Sequence, residues 1–530
     1  MTGRAMSTFS ITLDGAPVTV SEGETLLQVA RRQGIDIPTL CFLEQCQPAT
    51  SCLVCLVKVK SGTTGKLVPS CATRVASDMV VESETVEVHA ARRTALELLF
   101  SDHVGDCLSP CHRLCPLQLN IPVMLRAVDT GRLDEAVAIV KQALPLPAVL
   151  GRLCHRPCEN GCRRGTWDQP AAIRDVERFV ADRDLKSDRP FQPPTKPATG
   201  KRVVIVGSGP TGLAAAFFLL REGHGVTLLN RHERPGGSLV REVEEGRLPA
   251  EVLAAEISRL KALGAEFKTG AVLGEDLTLD ALRRDFAAVL LTMGEHARTR
   301  ATALGLEATA GGLKVEPDTG LTSLPNVFAA GSAVKPTRQI IRAMAEGRAA
   351  ALAVNQLLRG LKIQRAEKPF SSMMGRLDRA ELKLFLNLPS PAPRTPPALD
   401  ILRGFTSAEA TGESQRCLHC DCRAAGDCQL QHYAELYGAD TTRYRSLRRT
   451  FEQHVQPGGI VFEPGKCILC GLCVQIAERA REQLGLTFIG RGFDVRIGVP
   501  FDQSLEEGLR QTGRECVAAC PTGALAFKTD

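Results

Sequence analysis

The sequence predicts a multidomain chain of α/β and α+β modules, and three observations predict it. Four apolar β-formers, Val203–Val206, run into the turn Gly207-Ser208-Gly209-Pro210-Thr211-Gly212 and then into an apolar helical run, Leu213–Leu220. That order is a buried strand, a tight phosphate-binding turn and a helix whose N-terminus offers oriented N–H groups and partial positive charge. Near the start, Ile11–Val20 alternates apolar and polar residues about Asp14-Gly15, a two-residue hairpin signal. Finally, all 20 cysteines lie outside the glycine-turn domain, in groups at 41–71, 107–115, 154–162, 417–428 and 467–520. A length of 530 residues accommodates roughly three to five domains.

Composition narrows the function classes. Charged residues are 23% and hydrophobic ones 44%, ordinary globular usage, and the net charge is +6. One Trp and three Tyr supply no stacking platform for single-stranded nucleic acid, so no nucleic-acid partner is expected. No apolar run reaches the roughly 18 residues that span a membrane. Met1–Ser10 has no apolar core of a signal peptide. A cytoplasmic chain is expected, and there thiols stay reduced. So many cysteines then call for metal, and no Ser/His/Asp or Cys/His nucleophile is suggested.

Residues 1–95 form the first expected domain. After the hairpin, Glu22–Arg32 reads as a short amphipathic helix ended by Gly34. Strand, hairpin and helix are how a β-grasp domain begins. Cys41, Cys52, Cys55 and Cys71 then give four soft thiolates, which complete a [2Fe–2S] site. Zinc is the competing reading. The stretches around Cys41, Ser51–Val57 and Ser70–Thr73 resemble the N-terminal [2Fe–2S] domain of the large peripheral iron–sulfur subunit of respiratory complex I. Related domains occur in iron-only hydrogenases and NAD-linked formate dehydrogenases. Cys46 has no place in that pattern.

Residues 96–195 are expected to form an all-helical [4Fe–4S] domain. Asp102-His103-Val-Gly-Asp-Cys107 fits the His-x3-Cys motif that follows the [2Fe–2S] domain in the same family. The continuation, Cys107-Leu-Ser-Pro-Cys111-His-Arg-Leu-Cys115-Pro116 and Leu150-Gly-Arg-Leu-Cys154-His-Arg-Pro-Cys158-Glu-Asn-Gly-Cys162, is similar to another family. It is the double-cluster domain of the glutamate synthase small subunit, shared with dihydropyrimidine dehydrogenase. That resemblance implies one cluster on Cys115, Cys154, Cys158 and Cys162. It implies a second on Cys107 and Cys111, with Glu177 from the exit helix and His103 in place of the family's missing first cysteine. The plain alternatives are a surface histidine and half of an exposed helix ion pair. Apolar spacing predicts helices over 121–128 and 133–144, and the proline-rich stretch 184–200 reads as a linker.

Residues 196–365 carry the glycine turn. A second strand, Gly225–Leu229, leads to Asn230, where a ribose-binding acid stands in most such units. Pro235-Gly236-Gly237 resembles the turn under the flavin in the glutamate synthase small subunit. Asn326–Gly331 resembles its late flavin strand, with Ser332 where the family has Asp. The cofactor-binding residues implied are Gly207, Ser208, Gly209, Gly212, Asn230, Gly236, Gly237, Gly331 and Ser332, holding FAD. The family inserts a second nucleotide domain, of roughly 100 residues, for NADPH. Here Thr292–Gly294 is followed too soon by the late strand, and no second G-x-G-x-x-G after a strand intervenes.

Residues 366–435 contain a stiff spacer, 389–397. They also hold Cys417, Cys420, Cys422 and Cys428, which suit a [4Fe–4S] cluster or a structural zinc. Residues 436–530 resemble a bacterial two-cluster ferredoxin, with Cys467, Cys470, Cys473 and Cys520 forming one [4Fe–4S] site and Cys516 spare. Up to four [4Fe–4S] clusters are thus expected.

A row of such sites conducts single electrons, with the protein supplying ligation and tuning. The first expectation is an electron-transfer subunit of an NAD(P)-linked oxidoreductase complex. Its partners would be an NADH- and flavin-binding, complex I-like subunit and either ferredoxin or a catalytic dehydrogenase or hydrogenase subunit. FAD could there convert two-electron into one-electron steps, including by bifurcation. The alternatives are a self-sufficient NAD(P)H enzyme like the glutamate synthase small subunit, and a non-catalytic scaffold with an empty flavin fold.

Overall fold

A computed structural model describes residues 7–61, 64–366, 368–396, 402–445, 447–456 and 459–528. The last residue of the spacer 389–397 lies outside them. The chain mixes helices and sheets and divides into two units. One is Met1–Ser109, Pro369–Asn387 and Cys420–Asp530; the other is Pro110–Lys368 and Leu388–His419.

In the first unit, Thr8–Leu13 and Ala16–Ser21 pair antiparallel. Asp14 and Gly15 take φ of 48° and 84°, the doubly left-handed turn that matches the twist of two strands. These strands continue into a five-stranded sheet ordered Ala16–Ser21, Thr8–Leu13, Val80–Glu82, Leu56–Ser61, Thr64–Pro69. Only the pairing of Thr8–Leu13 with Val80–Glu82 is parallel. The helix is Leu26–Arg32, shorter than expected, because Thr25 and Gln28 form a reciprocal capping box that fixes its start. Leu27, Val29, Ala30, Val20 and Val57 fill the core beneath the sheet.

The same unit ends in a three-stranded antiparallel sheet of His454–Val455, Ile460–Phe462 and Leu525–Phe527, beside helices Leu472–Arg479 and Gly513–Ala519. Helix Val86–Leu99 joins distant parts. Its fully buried Arg92 donates to the Leu56 carbonyl at 3.1 Å and the Tyr437 hydroxyl at 2.7 Å.

The second unit begins with helices Pro110–Leu114, Ile121–Asp129, Leu133–Ala143, Pro147–Leu153, Pro157–Asn160 and Ile173–Leu185. A parallel five-stranded sheet follows, ordered Val327–Ala329, Ala288–Leu291, Arg202–Val206, Gly225–Asn230, Ala265–Thr269. Helix Pro210–Arg221 packs against helix Ile340–Leu358, and Gly347 permits the approach: any Cβ there would strike the Thr211 carbonyl. The core is continuous from the helices into the sheet. Residues 292–326 form one five-residue helix, His296–Arg300, a single 3-10 turn and isolated bridges before the chain rejoins the same sheet.

The stretch after residue 388 is not a free spacer. Arg394 pairs with Glu159 at 2.9 Å and donates to the Pro170 carbonyl. Helix Ser407–Ser414 packs against Ile121–Asp129 and Ile173–Leu185. Among the described residues, no single helix is long and apolar enough to cross a membrane.

Candidate iron–sulfur and nucleotide sites

Cys41 and Cys52 place their sulfurs 3.3 Å apart, and Cys55 and Cys71 theirs 3.4 Å apart; all four are buried. Leu53, between them in sequence, takes φ 54°, which lets the short loop turn both Cys52 and Cys55 inward. Each sulfur contact pushes one thiol down, Cys41 and Cys55, and its partner up. Four convergent buried thiols, in a chemistry that needs thiolates, fit a two-iron cluster. Cys46 lies apart as a half-buried thiol on the surface loop.

Cys41 and Cys52 share a buried cluster with Cys470. Cys467, Cys470, Cys473 and Cys520 line one small cavity with Ile468, Leu472 and Pro521. Burial pushes the Cys467 thiol up to about 11 and Cys470 to about 12, so a bound cation must supply the energy that ionises them. Cys516 does not line this cavity; its sulfur faces the Cys473 carbonyl at 3.7 Å.

A third group in the first unit joins residues far apart in sequence. The Cys422 N–H donates to the Cys107 carbonyl at 3.3 Å. Burial pushes Cys107 and Cys428 up, the latter to about 12, and Cys422 adds to both. The Ser372 backbone N–H lies 3.4 Å from Cys107 Sγ and its hydroxyl 3.3 Å, so Ser372 opposes that rise. Gly523 makes room, since any Cβ there would strike Cys422 Sγ. Burial pulls the Lys466 ammonium down, but Cys422 and its ion-pair partner Glu463 more than offset this. Half-buried His103 is held below its usual range by burial and Lys466, which keeps its imidazole neutral.

The four cysteines of 417–428 were expected to share one site; Cys417 belongs to the second unit and Cys420, Cys422 and Cys428 to the first. The division falls between His419 and Cys420. Cys422 and Cys428 lie with Cys107, while Cys417 is anchored to the helical module. Cys428 caps helix Gln429–Leu436, which the Pro521 carbonyl fixes through Leu430 N–H at 3.1 Å.

In the helical module, Cys115, Cys154, Cys158 and Glu177 face one another. Burial pushes the Glu177 carboxyl up to about 8, against Arg174, and Glu177 in turn raises all three thiols. Its buried Oε1 has no hydrogen-bond partner. A carboxyl oxygen left unsatisfied beside three thiols suits a cluster cation, which would favour its ionised form. The expected set was Cys115, Cys154, Cys158 and Cys162; Glu177 stands beside the first three, and the Cys162 thiol, pushed up by burial, is held by the Ala171, Arg164 and Gly165 backbone. Nothing in the sequence spacing alone assigns Glu177 to either set.

The nucleotide cleft has a cavity of about 870 Å³ above the ends of the parallel strands. Gly207, Ser208, Gly209, Asn230, Gly237 and Ser332 line it. Gly207 takes φ 111°, and a Cβ there would lie 2.5 Å from the Thr292 carbonyl. Gly212 lies against the Gly207 carbonyl, and Gly331 against Thr211. Gly236 turns the loop at φ 135°, its N–H donating to the Ser208 carbonyl. Ser208 Oγ is buried in the cleft with no partner, as a pyrophosphate-facing hydroxyl would be. These features fit a dinucleotide. Asn230 departs from an acid in a specific way: its Nδ2 donates to the His232 carbonyl at 2.5 Å and the Arg234 carbonyl at 3.0 Å. Ser332 Oγ accepts from Thr337 N–H at 3.3 Å.

Sequence reasoning missed Ser372, Lys466, Arg164, Arg416 and Glu413. All five are buried, and the buried charges among them signal a built network, but burial is invisible before folding.

Three family models match. Residues 7–86 match the 2Fe-2S iron–sulfur cluster binding domain, 84–189 the dihydropyrimidine dehydrogenase domain II with its 4Fe-4S cluster, and 165–347 the pyridine nucleotide-disulphide oxidoreductase domain. These are the domains of an oxidoreductase. This oxidoreductase chain is 39% identical over 225 residues to the NADP(+)-dependent formate dehydrogenase subunit beta of Moorella thermoacetica, covering 38% of the chain and 32% of the relative. It is 36% identical over 193 residues to the glutamate synthase small chain of Mycobacterium tuberculosis, covering 36% and 40%. It is 34% identical over 204 residues to the dihydropyrimidine dehydrogenase subunit PreT of Escherichia coli K12, covering 37% and 49%. The chain thus spans less than half the length of these curated relatives.

Proposed function

We propose that this chain is the electron-transfer subunit of an NAD(P)-linked oxidoreductase complex, carrying FAD and a row of iron–sulfur clusters. The observation that carries the reading is the bare return of residues 292–326 to the sheet. The nucleotide module has one dinucleotide cleft and no inserted domain to present a nicotinamide to it. A hydride donor must then come from a partner, and likeness to beta subunits of NADP-linked complexes supports that.

Within the first unit the thiols form a contiguous series. Cys41 and Cys52 adjoin Cys470, and the Pro521 carbonyl next to Cys520 lies 3.8 Å from Cys428 Sγ. Cys428 in turn adjoins Cys107 and Cys422. When bound, iron–sulfur clusters supply one-electron redox steps. The chain's residues hold them: Cys41, Cys52, Cys55 and Cys71 a [2Fe–2S] cluster on a β-grasp domain; Cys467, Cys470, Cys473 and Cys520 a [4Fe–4S] cluster; Cys107, Cys422 and Cys428 part of another, with His103 a neutral imidazole beside it. Cys115, Cys154, Cys158 and Glu177 hold a [4Fe–4S] cluster of the helical domain.

The partners would be a complex I-like NADH- and flavin-binding subunit on the [2Fe–2S] side, and ferredoxin or a catalytic dehydrogenase or hydrogenase subunit. Anoxic purification from the host with subunit identification, iron and flavin counts tests this. About 14 iron atoms for these four sets, one FAD and copurifying nucleotide-binding and catalytic subunits are expected. Rapid flavin bleaching by NADPH in the isolated chain would overturn it in favour of a self-sufficient enzyme, and lack of flavin in iron-replete protein would leave a scaffold.

A further inference from the structure

Of the other two cysteines of the helical module, Cys111 meets the group around Glu177 at Cys158, whose thiol it helps raise, and Cys162 is held by the backbone of Ala171, Arg164 and Gly165. They are neighbours through their backbones. Helix Pro110–Leu114 packs on Pro157–Asn160. A Cβ added at Gly161, the residue before Cys162, would meet the Leu114 side chain and lie 3.5 Å from the carbonyl of Pro110, the residue before Cys111.

The residue before a third cysteine, Cys417, is tied to the segment that follows Cys162. Arg164, two residues past Cys162, donates to the carbonyl of Arg416 at 3.0 Å. Arg416 donates back to Asp168 at 3.1 Å and to the Gln169 carbonyl at 3.0 Å. Glu413 accepts from the Ala172 N–H at 2.9 Å. Arg164, Arg416 and Glu413 are 2%, 1% and 0% exposed. Burying three charges costs several kcal/mol each unless geometry repays it, and here they pin one point of the chain: the residue before Cys417.

The loop that follows is built as a cluster-binding loop is built. The His419 N–H lies 3.4 Å from Cys417 Sγ, and His419 takes φ 47°. In Cys467-Ile468-Leu469-Cys470 the Leu469 N–H lies 3.4 Å from Cys467 Sγ, and Leu469 takes φ 53°. An N–H aimed at sulfur stabilises thiolate, and the strained residue between turns the loop toward one centre.

We infer that Cys417, carried by the arm after residue 388, joins Cys111 and Cys162 as ligands of a second [4Fe–4S] cluster in the helical module. It takes the place of the cysteine that this module's sequence lacks. The inference rests on the reading of the module as a cluster carrier. The test uses the full-length chain, purified without oxygen, with iron counted and the reduced clusters recorded by EPR. C417A and C162A should each lose about four irons and the same signal, and the double variant no more than either. C154A should remove a different signal, and C154A/C417A about eight irons. C417S and C162S, which keep an oxygen ligand, should shift the g-values of one common signal, which separates ligation from misfolding. Losses that add in C162A/C417A, or a C417A chain with all its iron, would overturn the assignment. If C154A and C162A both kept all iron, the cluster-carrier reading itself would fall.

Discussion

The guanidinium of Arg164 donates to the carbonyl of Arg416 at 3.0 Å and to that of Ser390 at 2.9 Å, joining the helical module to a segment more than 200 residues later. The same side chain holds Asp168 through Nε and Nη2, at 2.9 Å each. With both ends buried or half-buried, this bond network stabilises a specific docking of the arm rather than a loose tether.

Replacing Arg164 by Met should therefore strip two buried carbonyls and Asp168 of their donor. A loss of about 3 kcal/mol is expected, as when one partner of a buried pair is removed. Thermal unfolding followed by circular dichroism checks it. An unchanged midpoint would mean the arm is held by helix packing alone.

Lys466 is a buried cation beside Cys422 and Glu463. A positive charge there favours the reduced form of a cluster on Cys107, Cys422 and Cys428. The paired change K466M/E463Q removes both charges and leaves neither orphaned. K466M alone should lower that cluster's midpoint potential by on the order of 50 mV, at the effective dielectric of partly solvated sites. The double variant should recover part of the shift. Redox titration monitored by EPR decides it.

Asn230 donates twice to the loop carbonyls of His232 and Arg234. An aspartate there would restore the usual acid but set two carbonyl oxygens against a carboxylate. N230D should weaken flavin binding about tenfold, roughly one lost hydrogen bond with an unpaired acceptor. Flavin fluorescence titration measures this, and tighter binding by N230D would refute the role given to the amide.

Glu256 accepts from the Ala148 N–H at 2.6 Å, linking the nucleotide module to helix Pro147–Leu153. Burial pushes its carboxyl up to about 7. The folded state thus holds the proton more tightly than the unfolded chain. The contribution is full below about pH 4.5 and is lost as pH rises through 7, about 3 kcal/mol in all. E256Q keeps an acceptor without the charge. Its unfolding midpoint should rise relative to wild type between pH 5 and pH 8, and parallel pH profiles would contradict the shift.

The local elements were legible because their causes are local. The hairpin at Asp14-Gly15 needs only two left-handed residues, and the turn at Gly207–Gly212 needs only glycines between a strand and a helix. The helix expected from Glu22 instead starts at Leu26, because the Thr25–Gln28 capping box outweighs the apolar pattern before it. The content of the first three modules was legible too, through the resemblance carried by their cysteines and glycines, and the family models matched within residues 7–347 agree with it.

What the sequence by itself determined was an oxidoreductase chain with soft-metal sites on either side of one dinucleotide fold. Ligand type, short loops and periodicity are properties of neighbouring residues, so they survive without coordinates. Only the tertiary structure decided how the thiols are shared out. It set Glu177 with Cys115, Cys154 and Cys158, brought Cys422 and Cys428 to Cys107, and tied Cys417 to the helical module through Arg416. Those choices depend on buried hydrogen bonds between segments hundreds of residues apart, whose energies exist only after the chain has closed those loops.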